Sequence, residues 1–119
     1  MSNEKLIHET IQSIEEFLPK VSHSCLIITE QIRSDNESQA MYHINQFIAA
    51  VEWLTQAING IKSLGYIINI DTKEINQHLL ETKEGLENND LVLIADMFEY
   101  ELYPMLEGWT NEIYQYKGE

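Results

Sequence analysis

Eight apolar residues recur in the first third of the chain at alternating steps of four and three: Ile7, Ile11, Ile14, Leu18, Val21, Cys25, Ile28 and Ile32. A second set repeats the pattern: Ala40, Ile44, Phe47, Val51, Leu54, Ile58 and Ile61. A strand with one wet face alternates by two, so these sets do not describe strands. At about 3.6 residues per turn, steps of four and three keep every member on one helix face. The sets therefore predict two long helices packing at a shallow angle. Only Ser34-Asp35-Asn36-Glu37 stands between them. So short a joint forces the helices antiparallel. Ser34 with Glu37 fits a capping box, and Asn36 with Gln39 offers a second register. Each helix can run for about 30 residues, or roughly 45 Å.

The apolar register passes through Pro19 without a slip, which predicts a kink or brief break inside one helix. Gly65 can take the left-handed position that ends the second helix near Leu64. The apolar segment Tyr66-Ile67-Ile68-Asn69-Ile70 is then expected to lie against the bundle. Asp71, with Glu74 three residues on, caps a third helix whose apolar face is Ile75, Leu79, Thr82 and Leu86. Asn88-Asn89-Asp90 makes a turn and a cap. A fourth helix follows, with Leu91, Ile94, Phe98, Leu102, Met105, Trp109 and Ile113 on one face and a bend at Pro104. The expected fold is all-α: an up-down four-helix bundle with a long N-terminal antiparallel hairpin, one domain over residues 1–119.

The charge balance narrows function. Seven Lys and Arg stand against twenty Asp and Glu, a formal charge of −13. That argues against a nucleic-acid backbone or an anionic membrane as the main partner, since both call for a basic patch. A lone cysteine rules out an intrachain disulfide framework and fits a reducing compartment. No apolar run is long enough to cross a bilayer. Residues Met1 to Thr10 do not look like a signal peptide. The expected location is the cytoplasm.

Catalytic constellations are hard to assemble from these residues. Carboxylate-bridged metal bundles use Glu-x-x-His pairs. Here Glu4 with His8 and Glu74 with His78 are four apart, a spacing suited to surface pairs. His23 and His43 complete the four histidines, and none falls on an apolar stripe. His43, beside Ile44, is expected to be half-buried. Cys25 sits on the core stripe, where a cysteine is an inert small hydrophobe, and His23 faces another way. There is no phosphate-binding glycine loop and no nucleophile-elbow motif. We therefore expect no catalytic residues, no metal and no cofactor. The competing class is a metal-binding or enzymatic bundle using His43, His78 and inward acids such as Asp96 or Glu99.

The C-terminal segment is the most unusual. No base occurs between Lys83 and Lys117, and aromatics are interleaved with its acids. The ordinary outcome is a solvated acidic face over an aromatic core. The sharper expectation is a docking surface for a basic or amphipathic protein segment, built from Asp96, Glu99, Tyr100, Glu101, Tyr103 and Trp109. Asp96, Glu99 and Tyr103, with Tyr100, Glu107 and Trp109 near the bend at Pro104, could also form a polar pocket. Acids buried together there would share a proton and raise an apparent pKa. Acids pointing to water would not.

Ala95-Asp96-Met97-Phe98-Glu99-Tyr100-Glu101-Leu102-Tyr103-Pro104-Met105-Leu106, with Trp109 beyond it, resembles the C-terminal helix of small acidic helical proteins of Gram-positive bacteria. There the run reads Ala-Asp-x-x-Glu-Tyr-Glu-Leu-x-Pro-x-Leu, then Trp. The resemblance implies a cytosolic bacterial protein and brings no activity with it. In size, acidity and helicity the chain is also similar to the helical-bundle chaperones of flagellar and secretion systems, an analogy at the level of fold. Together these point to a non-enzymatic protein-binding module, an adaptor or chaperone. The regular stripes also allow chain-with-chain pairing into a homodimer.

Overall fold

Every residue of the two N-terminal stripes is buried, and that burial organises the molecule around its first helix. A computed structural model describes residues 2–118, with side chains for residues 4–116; Met1 and Glu119, the bounds of the expected domain, lie outside the described residues. Helix α1 spans Ser2–Arg33 and α2 spans Glu37–Ser63. At 1.5 Å per residue the 32 residues of α1 extend about 48 Å, close to the molecule's longest dimension of 51 Å. Helix α3 covers Lys73–Glu87. The remainder is one continuous rod in three parts: α4 (Leu91–Asp96), a π-helical turn (Met97–Leu102) and α5 (Tyr103–Gly118). The fold is thus all-α with four helical rods. Helix α1 packs along α2 and along the C-terminal rod, while α3 rests on α4 and the π turn. Phe47 of α2 meets Phe98 of the π turn edge to face, ring centres 5.0 Å apart.

The joints follow local rules, with one correction. Neither capping box expected at Ser34–Glu37 or Asn36–Gln39 forms, and the Asn36 side chain makes no cap bond. Backbone closes the turn instead. Asp35 takes a left-handed φ of 59°, Asn36 N–H donates to Gln31 O at 2.8 Å, and Asp35 N–H to Ile32 O at 3.3 Å. This is a Schellman ending, which satisfies the terminal carbonyls without a side chain. Asn89 repeats it at φ 53°, and Asp90 then caps α4 by accepting Leu93 N–H at 3.1 Å. The N-cap of α3 is Thr72, whose side chain makes no cap bond; one residue earlier, Asp71 Oδ1 accepts Lys73 N–H at 3.0 Å, so the Asp71 half of the expected box contributes and, among the described residues, no bond from Glu74 completes it. Gly65 is left-handed, at φ 93°. Ile68 and Ile70 anchor the following segment in the core, although Ile67 is exposed. Lys62 Nζ ties the segment to α2 through Ile70 O, and Thr72 Oγ1 does so through Asn59 Oδ1.

The two prolines act differently. Helix α1 continues through Pro19 without a break. Pro104 is the second residue of α5, just beyond the π turn, which closes where Tyr103 N–H reaches back five residues to Phe98 O. A proline lacks the N–H and crowds the carbonyl four residues back; widening the preceding turn by a residue relieves that crowding. The wider turn also corrects the expected core face. The buried series runs Ile94, Phe98, Leu102, Leu106, Trp109, Ile113, so Leu106 replaces Met105, which is half-buried. In an unbroken α-helix three successive steps of four would drift off the face. The extra residue in the π turn brings them back.

Gly85 is buried on α3 because the rod crosses it closely. A Cβ placed there would come within 2.9 Å of Ile94 Cγ1. Helix propensity alone would make Gly→Ala favourable by about 1 kcal/mol. At Gly85 the clash with a fully buried isoleucine should outweigh that gain. We expect Gly85→Ala to destabilise by about 1 kcal/mol net. At Gly60, where a Cβ meets nothing within 4 Å, the same change should stabilise by about 0.5–1 kcal/mol. Urea denaturation of both variants checks the opposite signs.

Candidate functional site

The six residues expected to form a C-terminal docking surface do not gather into one site. Asp96 and Glu99 point toward α1. Asp96 Oδ1 lies 3.2 Å from Arg33 Nη2, and Glu99 Oε1 lies 3.0 Å from Arg33 Nη1. A single guanidinium at the end of α1 thus clasps the start of the π turn. Both acids therefore meet a cation at the surface and do not form a buried pair. Glu99 sits below the ordinary carboxylate range, first through its hydrogen bond with the Tyr100 hydroxyl and next through Arg33. The Tyr100 hydroxyl is pushed up by the same bond. Tyr100 is 64% exposed. Glu101 faces α3, its Oε2 3.8 Å from His78 Nε2, so His78 does not form the surface pair expected with Glu74. Tyr103 is half-buried, its hydroxyl raised by a hydrogen bond to Glu107.

Trp109 corrects the expectation most sharply. At 5% exposure it belongs to the core and cannot anchor a partner. It borders a cavity of about 400 Å³ with Asp71, Glu74, Pro104, Gly108 and Glu112, away from Asp96 and Glu99. Among the described residues no group of three or more His, Cys, Asp or Glu side chains is arranged to hold a metal ion. His43 is half-buried, its Nδ1 3.0 Å from Gln31 Oε1. No helix is long and apolar enough to cross a membrane.

The larger concavity is one the sequence reading passed over. A groove of about 720 Å³ runs between α1 and α2. Phe17, Val21, Phe47, Ala49, Ala50 and Trp53 give it an apolar lining, and Ser13, Lys20, Ser24, His43 and Gln46 complete it. Trp53 is 42% exposed and meets Phe17 edge to face at 5.7 Å. Small residues at Ser13, Ala49 and Ala50 leave the hollow; the aromatic pair walls one part of it. The carboxylates stand outside. Glu9 and Glu16 lie one turn from Ser13 and Lys20 along α1, and Glu52 one turn from Ala49 along α2, all three exposed. The signal was present as a second row beside each core stripe: Ser13, Phe17, Lys20, Ser24 and His43, Ala50, Trp53. Next to rows of isoleucine it reads as an ordinary flank, because one aromatic per helix does not mark a groove until two helices align.

Cys25 is confirmed as a core residue. Its thiol is fully buried and pushed up to about 12, chiefly by desolvation. A pKa raised above its ordinary value near 9.0 favours folding below that value, and the contribution is lost as pH rises toward 12. Native protein at pH 8 should therefore resist thiol-disulfide reagents and label only at its unfolding rate; rapid native labelling would contradict the burial. Glu99 has the opposite sign. Its depressed pKa supports folding above the ordinary carboxylate value and the support fades as pH falls through the lowered one. Glu99→Gln should therefore lose less stability than the parent on acidification, read from denaturant midpoints across the acid range.

No curated protein and no solved structure matches the chain. The sequence model described as a domain of unknown function, DUF8042, matches residues 9–112, which takes in the α1–α2 groove, the π turn and Trp109. The chain belongs to the DUF8042 family.

Proposed function

We propose that this chain is a non-enzymatic protein-binding module, an adaptor or chaperone of the cytoplasm, that lays one basic amphipathic helix of a partner protein in the α1–α2 groove. The observation that carries this is the groove itself: an apolar hollow of about 720 Å³ with a half-exposed Trp53 beside Phe17. Grooves between helices take the apolar face of a partner helix through anchors spaced three or four apart. Large aromatics are effective anchors when a partner desolvates them. Charge selects the kind of helix. The net −13 draws basic segments toward the molecule, and Glu9, Glu16 and Glu52 stand where the flanks of a docked helix would pass. Glu101, exposed on the C-terminal rod, adds to the same acidic field.

Trp53 can report the binding once the buried tryptophan is silenced by Trp109→Phe. The probe is a synthetic helical peptide of roughly 18 residues, about 27 Å long, with leucines on one face, lysines on both flanks and no aromatic residue. We expect a saturable blue shift of Trp53 emission, with affinity falling as salt rises from about 50 to about 500 mM. Ala49→Arg, at an exposed position that fills the hollow, should abolish the shift while circular dichroism stays helical. A peptide that binds equally well to the Ala49→Arg protein, or not at all to the parent, would overturn the groove as the docking surface.

A further inference from the structure

Among the described residues Lys20 is the only formally charged one lining the groove, in a chain where acids outnumber bases twenty to seven. No carboxylate lies within ion-pair distance of it among the described residues, although Glu16 precedes it by one turn. Two other cations are engaged elsewhere: Arg33 clasps Asp96 and Glu99, and Lys62 donates to Ile70 O. Lys20 follows Phe17 by three residues, so its Cα lies about 4.5 Å further along the α1 axis than that of Phe17, whose ring meets Trp53 edge to face. An apolar helix face laid over the groove would take water from this cation. Uncompensated, that desolvation opposes binding; a carboxylate opposite it turns the cost into attraction.

We infer that Lys20 is a specificity-determining residue that selects one acidic side chain within the apolar face of the docked helix. This rests on the groove being a helix-docking surface. The partner helix is then basic on its flanks, with a bulky apolar anchor over Phe17 and Trp53 and a Glu or Asp one turn away. The two charge requirements have opposite signs, which makes the second one separable. The field of a −13 molecule disfavours any added negative charge on a ligand. A preference for Glu over its neutral isostere therefore has to come from a local cation.

The test uses the peptide described above in two forms, with Glu or Gln at the position one turn from its central leucine anchor, read by Trp53 emission in the Trp109→Phe protein. We expect the Glu form to bind about fivefold more tightly, the size of a partly shielded ion pair. Lys20→Glu should reverse the order, and Lys20→Met should make the two forms equal. Equal binding of both forms to the parent, as would follow if Lys20 turned back to Glu16 on docking, overturns the inference and leaves the groove in place. A Glu preference that survives Lys20→Glu overturns it as well. Failure of both forms to bind the parent removes the groove reading and this inference with it.

Discussion

The packing of α1 against its two neighbours is the contact on which everything else rests. One stripe of eight residues, Ile7 to Ile32, meets α2 and the C-terminal rod together, so α1 is the axis of the molecule. The magnitudes explain why an acidic chain can fold around it. A buried isoleucine or leucine contributes roughly 1.5–3 kcal/mol relative to exposure. An exposed ion pair contributes roughly 0–1 kcal/mol. The stripes therefore hold the helices, and the Arg33 clasp fixes how the end of α1 sits beside the π turn. Among the described residues no Asp or Glu is buried as a whole, so carboxylates accumulate on the surface.

The π turn is a second constraint, and it ties chain chemistry to the shape of the C-terminal rod. Pro104 cannot serve as a donor, and the turn before it widens. That shift carries Leu106 into the core, leaves Met105 at its edge, and places Glu99 beside Arg33 with Tyr100 turned outward. A residue that reads as a helix breaker thus sets the rotation of the segment on either side of it. The acid-aromatic run is one stretch of sequence but three environments: a clasp to α1, an exposed Tyr100, and a buried Trp109.

Electrostatics and apolar surface divide the work on the other face of the hairpin. The overall charge acts at long range and favours basic segments, whereas the groove floor is neutral apart from Lys20. Long-range steering and local selection need not share a sign, because screening removes the first beyond about 10 Å while a covered contact is screened little. A helix that is basic outside and carries one acid inside satisfies both.

Much of this was legible in the amino-acid order alone. The steps of four and three specified α1 and α2 and named their core residues, because a helix repeats its face locally and needs no distant partner to do so. Asp71, Asp90 and Gly65 marked their joints for the same reason: caps and left-handed turns depend on a few adjacent residues. The rod after Leu91 was legible except for its register, since the widening before Pro104 adds a residue that a fixed period does not anticipate. The site was scarcely legible. Arg33 lies 63 and 66 positions from the carboxylates it binds. The groove exists only where Ser13, Phe17 and Lys20 come alongside Ala49, Ala50 and Trp53. Which acids are neutralised, which tryptophan is exposed and where a partner can rest are properties of distances between helices. Only the tertiary packing decides those, because side chains far apart in sequence acquire a common dielectric, a common partner and a common hollow only after the helices have met.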